Sequence, residues 1–134
     1  MNWLTLRRGL FAFTNPDFLG QPCFEFLMWG FYLLHTRRFL GGRTPASSPL
    51  ACALALLFAL CFCLTAGEFA VLASSGVVLA VSLLFFHEKE DLSNAGYLCL
   101  VGALIEYGGV WTGMWRYPEA HAGGVPCWFI TLWA

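Results

Sequence analysis

Charged residues are scarce in this chain. They make up 11% of its 134 residues, whereas a typical soluble domain has about 25%. Seven basic residues stand against eight acidic ones, for a net charge of −1, so the chain lacks the basic surface that nucleic-acid binding requires. Hydrophobic residues reach 59%, which excludes a disordered chain. The composition therefore excludes an ordinary soluble domain and predicts an integral membrane protein whose surroundings are the lipid bilayer.

The spacings typical of metal ligands are also missing. The six cysteines, at 23, 52, 61, 63, 99 and 127, lie mostly in apolar runs, where cysteine behaves as a small hydrophobic residue. No CxxC or HxxxH pair occurs, so the sequence predicts no metal site. His35, at the end of the first apolar run, is a weak candidate for the axial ligand of a haem or chlorophyll-type pigment. Its alternative role is that of a histidine at the lipid headgroups.

Long apolar runs are what the chain does contain. A membrane-spanning helix needs about 20 mostly apolar residues. The run from Pro49 to Phe86 is too long for one span, and Gly67-Glu68 in its middle predicts a tight turn with the carboxylate at the water interface. The predicted fold is an all-α, polytopic transmembrane bundle in a single domain. It has four spans, at about 18–36, 49–66, 69–86 and 94–115, and a partial fifth at 125–134.

The first 16 residues predict an amphipathic helix at the membrane interface, because apolar side chains at 3, 6, 10 and 13 recur at helical spacing around two arginines. A secretory signal peptide is the alternative, but Asn15-Pro16-Asp17 follows before any long apolar core.

Four spans place the N-terminus, the 67–68 turn and the 116–124 loop on one side. Lys and Arg number three on that side and four on the other, so orientation stays open. The cluster of Arg37, Arg38 and Arg43 favours a cytoplasmic 37–48 loop.

The most informative span is the one at 94–115, because one of its faces carries only small residues and a carboxyl group. At about 100° per residue, Gly102, Glu106, Gly109 and Gly113 fall on one side, and bulky residues fall on the other. Gly109 and Gly113 have the small-xxx-small spacing of closely packed membrane helices. We therefore expect this face to admit another backbone or a flat ligand.

Glu106 is the candidate functional residue of that face. A charged side chain at the centre of a membrane helix costs about 2.5–3.5 kcal/mol, and loss of hydration disfavours the ionised form of a carboxyl group. A protonated Glu106 would be a proton donor, which makes it a candidate catalytic acid. The alternative is a neutral glutamate that hydrogen-bonds to a neighbouring helix and fixes packing. Glu25 lies nearer a span end and is interpreted as structural or interfacial, so no second carboxyl is expected beside Glu106.

The residues after Glu106 carry a family resemblance. The pattern Glu106, Gly109, Thr112-Gly113, Trp115 and Tyr117, followed by Gly124-Val125-Pro126 and an apolar segment, resembles the signature region of the polytopic carotenoid-biosynthesis membrane proteins. That family includes the bisanhydrobacterioruberin hydratases, and the resemblance covers about residues 106–128. It implies a polyene substrate that is protonated at a C=C bond.

The resemblance also implies roles for individual side chains. Glu106 would be the acid, and Trp115 and Tyr117 would wall the site or stabilise a carbocation. Trp111 points away from Glu106 on the helix and is the weakest candidate. The alternative for these aromatic residues is a belt at the membrane interface.

Two functions follow from these observations. The first is a small integral protein of a prokaryotic inner membrane, cytoplasmic or energy-converting. It would bind a carotenoid or other isoprenoid, a chlorophyll-type pigment or a lipid, and it would pack as an accessory subunit against other membrane subunits. The alternative is a membrane-embedded hydratase- or cyclase-like enzyme acting on a carotenoid or isoprenoid. Candidates for ligand binding or helix packing are Gly102, Gly109, Gly113, Trp115 and Tyr117. The apparent lack of a second polar group near Glu106 favours the first function, and the resemblance favours the second.

Overall fold

The fold is all-α, as the composition predicted. A computed structural model describes residues 2–37 and 48–134; Arg38 and Arg43 lie outside the described residues. The helices are α1 (Asn2–Arg7), α2 (Cys23–His35), α3 (Pro49–Leu64), α4 (Glu68–Phe86), α5 (Asp91–Trp111) and α6 (Phe129–Trp133). Two short strands, β1 (Ala12–Phe13) and β2 (Trp115–Arg116), pair antiparallel.

The predicted turn at Gly67-Glu68 is confirmed, and the Glu68 side chain is buried in the protein. Gly67 adopts a φ of +84°, a conformation that glycine reaches without steric cost, and α4 begins at the next residue. Glu68 is only 4% exposed, because its carboxylate contacts the His121 ring and accepts a hydrogen bond from the backbone N–H of Cys127. The carboxylate therefore joins the start of α4 to the chain that precedes α6.

The helix lengths do not support four membrane spans. Within the described residues, only α4, with 19 residues, is long and apolar enough to cross a bilayer on its own. The 16 residues of α3 rise about 24 Å, less than the roughly 30 Å of a hydrocarbon core. Helix α5 has 21 residues but begins with the polar residues Asp91, Ser93 and Asn94. The partial fifth span is reduced to the five residues of α6.

The predicted span at 18–36 begins five residues late. Leu19 and Gly20 have φ values of +52° and +78°, and the backbones of Phe18 and Gln21 bond to each other in a tight turn. Pro22 follows and has no N–H to donate. Helix α2 therefore starts at Cys23 and has 13 residues.

The N-terminal amphipathic helix is also shorter than predicted. Helix α1 ends at Arg7, and Gly9 reverses the chain with a φ of +71°. Residues 12–13 then leave the helical path and pair with Trp115 and Arg116. Phe13 is buried in this pairing, so the last apolar position of the predicted helix belongs to a strand.

Two side-chain contacts join the N-terminal segment and the 116–124 loop to the end of α3 and the start of α4. Arg8 donates a hydrogen bond to the carbonyl of Cys63, and His121 contacts Glu68. These contacts place the N-terminal segment, the 67–68 turn and the 116–124 loop together. Helix α6, which follows the 116–124 loop in the sequence, packs on α4 through a buried hydrogen bond of 2.7 Å between the hydroxyls of Ser75 and Thr131.

A carboxylate and aromatic site beside α5

Glu106 lies at the centre of a buried polar cluster. Its side chain is 7% exposed, and its two oxygens have three aromatic neighbours. Trp133 Nε1 donates to Oε1 over 3.3 Å, and Trp115 Nε1 donates to Oε2 over 3.2 Å. The Tyr117 hydroxyl lies 2.5 Å from Oε2. An indole N–H can only donate, so Glu106 accepts from both tryptophans whether or not it is protonated.

Two of the predicted glycines create the space for those indoles. A Cβ at Gly102 would lie 2.3 Å from Cγ of Trp133, and one at Gly109 would lie 2.0 Å from Cζ2 of Trp115. Real Cβ atoms do not approach so closely, so both positions require glycine for packing. The face admits close approach at Gly102 and Gly109, but the approaching groups are indole side chains of the same chain rather than the second backbone or flat ligand that the sequence predicted.

Gly113 differs from the prediction. Helix α5 ends at Trp111, so Gly113 lies beyond it, and a Cβ there would meet nothing within 4 Å. Its φ is +72°. The N–H groups of Gly113 and Met114 bond to the carbonyls of Val110 and Gly109, which is the Schellman pattern of a helix C-terminus. Gly113 therefore turns the chain so that Trp115 and Tyr117 return to Glu106.

A cavity of about 240 Å³ opens beside Glu106. Its walls come from α2, α5, the N-terminal segment and the residues around α6. Most of them are aromatic or aliphatic side chains: Phe11, Phe13, Met28, Trp29, Tyr32, Leu33, Leu98, Ile105, Trp115, Tyr117, Trp128, Leu132 and Trp133. We refer to this space as the Glu106 cavity. Ligand pockets in proteins are typically apolar with a few polar groups, and this cavity has that character.

Glu25 lies on the wall of the same cavity. It is 8% exposed and accepts a hydrogen bond of 3.0 Å from Trp29 Nε1. The expectation that Glu106 has no second carboxyl nearby is therefore wrong. The sequence held a signal, because Glu25, Trp29 and Tyr32 follow the i, i+4, i+7 spacing of one helix face.

Two tyrosines complete the polar lining. The Tyr32 hydroxyl is buried and has no hydrogen-bond partner among the described residues, and it lies within electrostatic reach of both Glu25 and Glu106. Burial, together with the nearby Glu106 carboxyl, raises the pKa of the Tyr117 hydroxyl. Tyr117 therefore keeps its proton, which it donates to an ionised Glu106; a protonated Glu106 could instead donate to the Tyr117 oxygen.

The remaining sequence candidates lie away from this cavity. His35 Nε2 is 2.9 Å from the Tyr97 hydroxyl, and its ring stacks on Phe31 and Tyr97. Trp111 is 77% exposed and contacts Tyr107, so it points away from Glu106 as predicted. Within 2–37 and 48–134, no group of three or more His, Cys, Asp and Glu residues is arranged to hold a metal ion.

Comparisons with known proteins add no family assignment. No protein-family model, curated protein or solved structure matches the chain. The resemblance of residues 106–128 to the carotenoid-biosynthesis proteins therefore stays a prediction.

Proposed function

We propose that this chain is a membrane protein that binds a hydrophobic ligand in the Glu106 cavity. The observation that carries the proposal is the cavity itself, an aromatic and aliphatic space with a few buried polar groups. Its volume of about 240 Å³ is below the roughly 300–1,000 Å³ of ordinary ligand pockets. It therefore suits a small apolar molecule or one end of a longer one, such as a carotenoid, another isoprenoid, a pigment or a lipid.

The outer surface supports the membrane part of the proposal. Leu27 on α2, Leu84 on α4 and Leu104 on α5 are 78%, 83% and 70% exposed, and many other large apolar side chains also point outward. Soluble monomers rarely expose large continuous apolar surfaces. Lipid chains would cover such a surface, and so would other subunits of a membrane complex, which is the accessory role expected from the sequence.

The experiment is recovery of the bound molecule. The protein is purified from native membranes in mild detergent, extracted with organic solvent, and analysed by absorption and mass spectrometry. Leu98→Trp should reduce the recovered ligand severalfold, because Leu98 lines the cavity and a larger ring would fill it. Leu100→Trp is the matched control, since Leu100 lies on the same helix but is 62% exposed. Equal recovery from both variants would contradict binding in this cavity.

A second candidate is the hydratase- or cyclase-like enzyme, and the specific observation in its favour is the second carboxyl. Hydration of a polyene begins when an acid protonates a C=C bond. The carbocation then takes up water, and the water loses a proton to a base. Glu106 and Glu25, which both line the cavity, would supply an acid and a base, and the surrounding rings would stabilise the cation.

Turnover of an acyclic polyene tests this candidate. Membranes containing the protein are incubated with the polyene in H₂¹⁸O, and the product is checked for incorporated ¹⁸O. Glu106→Gln should abolish product while the protein remains assembled, and Glu119→Gln, an exposed change outside the cavity, should not. Product formation by the Glu106→Gln protein would exclude Glu106 as the acid.

A further inference from the structure

We infer that the Glu106 cavity selects organic cations, in particular ammonium ions with apolar substituents, over neutral molecules of the same shape. The inference rests on the proposed ligand-binding function and adds the charge of the ligand to it. Four features of the cavity carry it: the neutral partners of Glu106, the aromatic wall, the second carboxyl and the Tyr32 hydroxyl.

The partners of Glu106 are all neutral. Trp115, Trp133 and Tyr117 donate to its carboxyl oxygens through neutral N–H and O–H groups. Such donors stabilise an anion without cancelling its charge. Burial by itself disfavours the ionised form of Glu106, and a positive ligand in a site of low dielectric constant offsets that cost by pairing with the carboxylate.

The aromatic wall favours the same kind of ligand. Trp29 and Tyr32 pack edge to face, with ring centroids 5.9 Å apart, and Tyr32 packs in the same way against Trp133, at 5.6 Å. In an edge-to-face pair, the ring that contributes its edge keeps both of its faces free of that partner. The faces of Trp and Tyr attract cations, and cages of such rings recognise quaternary ammonium groups.

The rest of the cavity lining also favours a positively charged ligand. Glu25 adds a second acidic side chain. The buried Tyr32 hydroxyl presents oxygen lone pairs to its surroundings. Among the described residues that line the cavity, none is Lys, Arg or His. A ligand that carries positive charge on an apolar body therefore meets carboxylates and rings together, whereas a neutral hydrocarbon of equal size uses the rings alone.

A pair of isosteric probes tests the inference. Benzyltrimethylammonium and neopentylbenzene have nearly the same shape, but only the first is charged. Each is equilibrated by dialysis between detergent-solubilised protein and matched protein-free micelles, so that partition into detergent is subtracted. We expect the cation to bind at least about tenfold more tightly than the neutral probe. Glu106→Gln should remove most of that difference by weakening the binding of the cation.

Controls separate this inference from the proposed function. Glu119→Gln removes an acidic group outside the cavity and should leave both affinities unchanged. If Glu106→Gln fails to give a monodisperse helical protein, Glu25→Gln provides the same measurement. Equal binding of both probes, with Leu98→Trp blocking both, would overturn the cation preference and leave ligand binding in place. If neither probe binds, the inference is overturned. The proposed function would fail only if native membranes also yield no bound molecule.

Discussion

At the scale of single residues, Glu106 is held by three aromatic donors. Glu106→Leu would remove the carboxyl that accepts from Trp115, Trp133 and Tyr117, and each buried donor left unpaired costs about 1–3 kcal/mol. Glu106→Gln keeps a carbonyl acceptor and should cost less than the leucine variant. Thermal unfolding in mild detergent, followed by circular dichroism, measures the difference. Equal stability of the two variants would mean that these hydrogen bonds do not hold the cluster together.

Adjacent glycines on α5 give a matched test of the packing. Gly109→Ala should move the Trp115 ring and weaken its hydrogen bond to Glu106, at a cost of about 1–3 kcal/mol, as in other overpacked sites. Gly109→Leu should destabilise the protein more than Gly109→Ala, because its side chain is larger. Gly108→Ala is the control, because a Cβ there meets nothing within 4 Å and alanine favours a helix by up to about 1 kcal/mol. The same unfolding assay compares the two variants. Equal stability of Gly108→Ala and Gly109→Ala would contradict the packing of the Trp115 ring against Gly109.

The residues around Glu106 show what a sequence can predict about a site. Helical periodicity was sufficient to place Gly102, Glu106 and Gly109 on one face, because that relation is local. It could not identify Trp133, 27 residues away, as the group that fills the face. Glu25 was misjudged for the same reason, since its neighbourhood depends on how α2 packs against α5.

At the scale of elements, the end of α5 decides where the site residues lie. Gly113 has a positive φ and open space around it, so a side chain there costs backbone strain of about 1–2 kcal/mol without any clash. We expect Gly113→Ala and Gly113→Leu to destabilise the protein equally and Gly113→Asn to be milder. The unfolding assay distinguishes this from Gly109, where the cost rises with side-chain size. A Gly113→Leu variant much less stable than Gly113→Ala would indicate a packed position.

The N-terminal segment shows why element boundaries escaped the sequence. Apolar residues at 3, 6, 10 and 13 fit a helix, but the partner of Phe13 in the structure is Trp115, about a hundred residues along the chain. Strand pairing over such a distance leaves no local periodic signal. The local signal was the glycine at position 9, which adopts a positive φ in the structure and ends the helix early.

At the scale of the whole molecule, three carboxyl groups are inside and much of the apolar surface is outside. Glu25, Glu68 and Glu106 are each less than 10% exposed, while leucine and phenylalanine side chains cover the outer faces of α2, α4 and α5. Only 17% of the apolar window of α4 is buried inside the protein, whereas the core helix of a soluble domain is mostly buried. The proposed apolar surroundings, lipid or partner helices, would account for this distribution.

A single lysine distinguishes a membrane from water around α4. Val77 lies at the middle of α4 and is 64% exposed. In a bilayer, Val77→Lys would place a charge near the hydrocarbon centre at a cost of about 2.5–3.5 kcal/mol, and the protein should be lost from carbonate-washed membranes. In water the same exposed substitution would change stability by no more than about 0.5 kcal/mol. Leu92→Lys is the control, because Leu92 is equally exposed, at 64%, but lies in the first turn of α5 beside the polar 87–90 loop. Equal membrane recovery of both variants would contradict a membrane-spanning α4, whereas selective loss of the Val77 variant would place the middle of that helix in the lipid.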